Sequence, residues 1–253
     1  MQHEERSRLT KRTSARVVFA ACLVFFLIAS AVGWDHSILD GNRWRETQTA
    51  MTAYYMIGRR PKLAYETPLF GPPWSVPFEF PMYQWTVAGL VTLLHTRLEQ
   101  TGRAVSIAFF LVTLLPVNYL LGAMGIRRSH RLLVLGLFLL SPFYIFWSRT
   151  FMIESTALFL SAAYAALTVA SDRNFSIARM AAVMGFGSLA AMVKVTTLLP
   201  FLAVAPPAAD FSFAPVWALL WLHPSFSSTS TSCTSITRTP SAFVSSRQSA
   251  WSW

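Results

Sequence analysis

Apolar residues in this chain come in long blocks, without the alternation of half-buried strands and without the polar stripe of soluble helices. The first block, VVFAACLVFFLIASAVGW, fills residues 17–34. Further blocks occupy 82–96, 104–124, 132–148, 155–171, 180–193 and 195–209. A shorter one, FAPVWALLWL, covers 213–222. Runs of 17 or more apolar residues suit helices that cross a bilayer core of ~30 Å. The block at 82–96, bounded by Pro81 and Arg97, has fifteen residues. As a helix it reaches only about 22 Å. It is read as an interfacial or half-buried helix.

The pattern predicts an all-α, polytopic transmembrane protein with a large first external loop carrying membrane-surface helices. Basic residues orient it. Arg6, Arg8, Lys11, Arg12 and Arg16 hold residues 1–16 in the cytoplasm, so the first block acts as an uncleaved signal anchor. GIRRSHR (125–131) and SDRNFSIAR (171–179) are then cytoplasmic, and residues 35–103 form an external loop. The SRTFMIE turn and Lys194 lie on that same external side, Lys194 in a short turn or just within the membrane.

Composition agrees. The chain has 253 residues, 54% hydrophobic and 13% charged, with mean hydropathy +0.45, whereas soluble domains carry ~25% charge. The net charge of +10 does not indicate nucleic acid. The basic residues are scattered between apolar runs, and no nucleic-acid-binding motif accompanies them. Cys22 and Cys233 are isolated in sequence, which gives no disulfide framework and no cysteine-based zinc site. P-loop, HExxH, GxSxG and GxGxxG patterns are missing from the sequence. Residues 210–223 read as an incomplete apolar segment. The Ser/Thr-rich tail, 224–253, reads as disordered or as the product of a shifted reading frame.

The acids concentrate on one side. Asp35, Asp40, Glu46, Glu66, Glu79 and Glu99 fall in the external loop, and Glu154 joins them. Within the loop, DGNRWRETQTAMTAYYMIG (40–58) predicts an amphipathic surface helix, capped by Asp40 or Asn42 and ended by Gly58. Trp44, Met51 and Tyr55 share one face; Arg45, Thr49 and Thr52 share another. The structural alternative is a plain packing helix with Arg45 and Glu46 solvated.

Glu66 and Glu79 stand in a Pro- and aromatic-rich strap. There a carboxylate can serve as base or acid, or can pin the strap through Arg59, Arg60 or Lys62. Arg149 suits a phosphate, Lys194 adds a second positive charge, and Glu154 suits a divalent metal or a substrate hydroxyl. The alternative there is a mutual Arg149–Glu154 ion pair. His36 reads as a locally hydrogen-bonded side chain.

WRETQTA, YETPLFGPPWSVPFEFPMYQW, SPFYIFWSRTFMIESTALFL and VKVTTLLP, in that order, resemble bacterial membrane glycosyltransferases of the GT-C superfamily, in the group like dolichyl-phosphate-mannose protein mannosyltransferases. The resemblance covers residues 17–209. It implies a multi-span helical enzyme of the bacterial inner membrane that works on the extracytoplasmic face. A polyprenyl-phosphate sugar would be the donor, a glycan, lipid or protein the acceptor, and transfer would be inverting. Some members use a divalent metal. Carried over, Glu79 and Glu46 are the acid/base candidates, Arg149 and Lys194 the phosphate ligands, and Glu154 the substrate or metal ligand. Arg45 and Glu66 are further candidate substrate contacts. Arg45 and Glu46 fall where many members carry an Asp-Glu pair and where this subgroup tends to carry Arg-Gln. Members are about twice as long, so a truncated product or a non-catalytic assembly subunit is one alternative. A membrane transporter is another, although the two halves show no repeat.

Overall fold

The computed structural model describes residues 2–38, 44–68, 71–72, 74, 79–173 and 176–202. The Asp40 or Asn42 cap, the 213–222 block and the tail lie outside them. Among the described residues there are eight α-helices and no strand. They are α1 (Gln2–Ala31), α2 (Trp44–Met56), α3 (Met82–Leu94), α4 (Leu98–Ala123), α5 (Arg128–Leu140), α6 (Pro142–Ser148), α7 (Glu154–Arg173) and α8 (Ile177–Leu202).

Three stretches are long and apolar enough to cross a membrane: Thr13–Ala31, Leu98–Ala123 and Ile177–Leu202. The pair α5 and α6, bent by 64° at Ser141–Pro142, makes a fourth if it counts as one broken span. Proline explains the bend. It has no N–H to continue the ladder, and it pushes Ser141 to extended backbone, at φ −62° and ψ 120°. Val24, Phe25, Ile28, Leu115, Leu137 and Phe143 are exposed. Apolar surface on that scale needs a lipid cover.

The 155–171 block is more enclosed than its neighbours. It becomes α7, which packs against both α4 and α8. Ser155, Thr156, Ala157, Ser161, Ala162, Ala163, Ala165, Ala166 and Thr168 are all buried. Small side chains let helix backbones approach closely, and they also leave α7 short of the hydropathy of a lipid-facing span. Of the two expectations for Lys194, a short turn or a place just within the membrane, the turn is not found: the apolar blocks on either side run on without a loop as far as Leu202. They join in α8, interrupted at Lys194 alone, which takes an extended conformation (φ −164°, ψ 94°). One residue out of helical register re-aims the chain without a loop.

At 82–96, α3 has thirteen residues, about 20 Å of helix. It ends at His95, which adopts a left-handed conformation and donates its N–H to Val91 O at 2.9 Å. The following helix begins earlier than the hydropathy suggests, at Leu98 instead of residue 104, so Glu99, Gln100 and Arg103 are helical. Of three apolar clusters among the described residues, α4 contributes to the two larger. Val105 packs with Tyr83, Phe151, Leu160 and Leu198. Phe110 and Leu114 pack with Phe26, Leu135 and Leu139.

The C-terminal end of α1 and the N-terminal ends of α4 and α7 meet at one end of the molecule. Arg103 binds carbonyls that follow α1, and Ser106 donates to Met152 O at 3.3 Å. A buried hydroxyl chain ties α3 into this end. Tyr83 donates to Gly102 O at 2.8 Å, and Ser106 donates to the Tyr83 oxygen at 3.1 Å. Phe151 lies directly on Gly102, where an added Cβ would stand 2.1 Å from the ring. A hydrogen atom is all that this contact admits.

Candidate functional site

The strap, α2, α7 and the break in α8 converge at this end. Lys194 and Glu154 form an ion pair, both side chains partly buried. Arg45 on α2 donates to Glu79 Oε1 at 3.1 Å. The two pairs are electrostatically in touch. Burial pushes the Glu79 carboxyl above its ordinary value; Arg45 opposes this, Glu154 adds to it, and Lys194 opposes it. The local chain explains the convergence. Phe80 N–H donates to Met192 O at 3.4 Å, which fastens the strap two residues from the break that carries Lys194. Glu154 opens α7, so the helix N-terminus favours its negative charge.

A cavity of about 660 Å³ opens at the Glu154–Lys194 pair. Its lining is mostly apolar and aromatic, with Phe110, Phe143, Tyr144, Trp147, Leu158, Pro200 and Phe201. Ser148, Ser155, Thr196 and Thr197 add hydroxyls. An apolar trough with an ion pair in its lining accommodates an amphiphile with a charged head. A second cavity, of about 320 Å³, lies against α2 and is bordered by Arg45 and Glu79. Glu79 thus borders one cavity and feels the charges that line the other.

Four of the seven candidates are therefore brought together: Arg45, Glu79, Glu154 and Lys194. Three are not. Glu46 is 4% exposed and lines neither cavity. It is not solvated, because its side of α2 faces the bundle, where its charge reaches the Tyr83 hydroxyl. Glu66 is exposed on the strap, outside both cavities.

Arg149 leaves the group and does not pair with Glu154, whose partner is Lys194. It donates instead to Ala29 O at 3.4 Å, because α6 ends against α1. Nor does Glu154 fit a metal centre. Its partner is a cation, and among the described residues no three His, Cys, Asp or Glu side chains gather to hold an ion.

Arg103 was missed in the sequence. It is 4% exposed and donates to Gly33 O at 3.2 Å, Trp34 O at 2.5 Å and His36 O at 2.7 Å. These carbonyls follow the C-terminus of α1, where orphan acceptors and the helix dipole both favour a cation. Gln100 adds a bond to Asp35 Oδ1 at 2.7 Å. The available signal was an arginine abutting an apolar run, where only a buried partner makes the charge tolerable. Compared with protein-family models, curated proteins and solved structures, the chain matches none of them.

Proposed function

We propose that this chain transfers a sugar from a polyprenyl-phosphate donor to an extracytoplasmic acceptor, with the site end facing outward from a bacterial inner membrane. The observation that carries this reading is Glu79. A carboxyl with a raised pKa, fastened beside a cation, stands between an aromatic-walled trough and a polar cavity. The resemblance at WRETQTA, FEFPMY and SRTFM points the same way, as does the arginine-rich character of the loops assigned to the cytoplasm.

In this reading the prenyl chain lies along Phe110, Tyr144, Trp147 and Phe201, and the donor phosphate competes with Glu154 for Lys194. Glu79 takes the proton of the acceptor hydroxyl. The acceptor oxygen then bonds to the anomeric carbon from the face opposite the phosphate. The bond from that carbon to the phosphate oxygen breaks, and its electron pair leaves with polyprenyl phosphate, whose charge Lys194 offsets. A base poised in this way contributes ~10²–10⁴-fold.

The test is sugar transfer by the full chain reconstituted in liposomes with labelled polyprenyl-phosphate sugars. Glu79→Gln should lower turnover by ~10²–10⁴-fold, with membrane insertion unchanged. Undiminished transfer by the variant would remove Glu79 from the mechanism. A reconstituted chain that moved labelled solute across the bilayer, and transferred nothing, would support the transporter alternative.

A further inference from the structure

At the end of the molecule remote from Glu79, α1 and α5 run side by side in the same direction. Cys22 and Phe26 of α1 pack with Leu135 and Leu139 of α5, and an added Cβ on Gly136 would stand 3.2 Å from Cys22 Sγ. That contact sets the register. Arg16 lies six residues before Cys22, and Arg128 eight before Gly136. At 1.5 Å per residue the two arginines stand within about 3 Å of one height. Arg128 precedes Leu135 by two turns, which puts it on the side of α5 that packs on α1. Arg127 and His130 flank it.

Arg16, Arg127, Arg128 and His130 are all exposed. Among the described residues, no ion pair or side-chain hydrogen bond engages any of the four. Arg131 differs: it donates to Asn118 O at 3.3 Å and ties α5 to the last turns of α4. Acids do not offset the group. α5 has none, and Glu5 is eleven residues before Arg16 on α1, about 17 Å along the helix. Asp172 lies in the last turn of α7, a helix that packs on α4 and α8. Like charges on adjoining helices repel unless an anion lies between them.

The next residues along both helices are apolar and exposed: Val17 and Val18 on α1, Leu133, Val134 and Leu137 on α5. A shallow groove of about 560 Å³ runs up α1 from Val17 to Ile28. Arg16 stands one turn before Ala20 in its lining, and so at its foot. Cations at the foot of a hydrocarbon surface select a ligand. A free phosphate or a nucleic acid would leave the groove bare. A zwitterionic lipid would bring an ammonium group to a cluster of cations. An anionic phospholipid satisfies both parts. Its phosphodiester accepts charge-assisted hydrogen bonds from the guanidinium forks, and an acyl chain lies along the groove. We infer that the junction of α1 and α5 binds an anionic glycerophospholipid of the surrounding membrane, with Arg16 and Arg128 as the phosphate ligands. The site is independent of the transferase reading, whose residues lie at the other end.

In the experiment the purified full chain in detergent is offered equal amounts of phosphatidylglycerol and phosphatidylethanolamine with matched acyl chains. Native mass spectrometry counts the lipid that stays bound. Phosphatidylglycerol should be retained preferentially. Arg16→Gln and Arg128→Gln, at exposed positions, should each lower that preference about fivefold, the effect of one cation near an anionic surface. Arg16→Lys should keep most of it. Arg97→Gln removes an exposed cation at the Glu79 end and should change nothing. Equal retention of the two lipids, or an undiminished preference in the double variant, overturns the site. So does an equal loss in Arg97→Gln, which would show a diffuse effect of charge. Displacement of the lipid by free glycerol phosphate at the same concentration would show an adventitious ion only, and would overturn the lipid as occupant. A dimer in lipid-free detergent that dissociates in the double variant would give the surface to a second copy of the chain, and would overturn it too.

Discussion

Two clusters of charge share one end of this molecule, and they are built in opposite ways. Arg103 and Arg149 form a collar around the end of α1, with backbone carbonyls as their partners. The space beside them is about 10 Å³, room for a water at most. Arg45, Glu79, Glu154 and Lys194 are partnered by side chains and border cavities of about 320 and 660 Å³. The collar's acceptors are backbone carbonyls, which cannot swing aside for a ligand, so the collar is structural. A side-chain ion pair can be opened by a ligand of matching charge at modest cost, so the second cluster is available for chemistry. Residue type alone does not separate them, since both contain arginine.

That contrast can be broken experimentally. Arg103→Met removes three hydrogen bonds from a buried guanidinium and should destabilise the fold by about 3 kcal/mol, read as earlier thermal unfolding in detergent. Gly102→Ala drives a methyl into Phe151 and should cost about 2 kcal/mol by the same measurement; an unchanged melting point would show that the ring has room to move. Lys194→Met should leave stability closer to wild type and reduce kcat/KM about tenfold or more, equivalent to ~1.4 kcal/mol, with Lys194→Arg restoring part of it.

The pH dependence is sharper still. Because the Glu79 carboxyl is raised, chiefly by burial, the acidic limb of kcat/KM should sit above the usual carboxylate range. Arg45→Gln should move that limb to higher pH, and Glu154→Gln to lower pH. The sign for stability follows: the contribution of Glu79 is complete below its unfolded value and is lost as pH rises through its folded value. The smallest effect belongs to Arg149→Met, which removes one long bond and should cost less than ~1 kcal/mol. An Arg149 variant that lost transfer without losing stability would return that residue to the phosphate site.

Helix existence was legible because burial in lipid leaves long apolar blocks, and α1, α4 and the α5–α6 pair fall where such blocks stand. The shortness of α3 followed from Pro81 and Arg97. Less legible was α7, whose Ala and Ser content reflects enclosure by α4 and α8 and not contact with lipid. The candidate site was half legible. Glu154 and Lys194 could be named because charge beside apolar sequence is costly, Glu79 because it stands in a Pro- and aromatic-rich strap, and Arg45 through the resemblance at WRETQTA. Their partners could not, because 34 residues separate Arg45 from Glu79 and 40 separate Glu154 from Lys194.

By itself, then, the sequence determined that this is a helical protein with charges collected in and around one long loop; hydropathy and proline are local properties that the chain carries with it. Only the tertiary structure decided which charges face cavities and which close a helix end. That choice depends on where α1 stops against α4 and on a single extended residue in α8, and so on packing between segments that are distant in the chain.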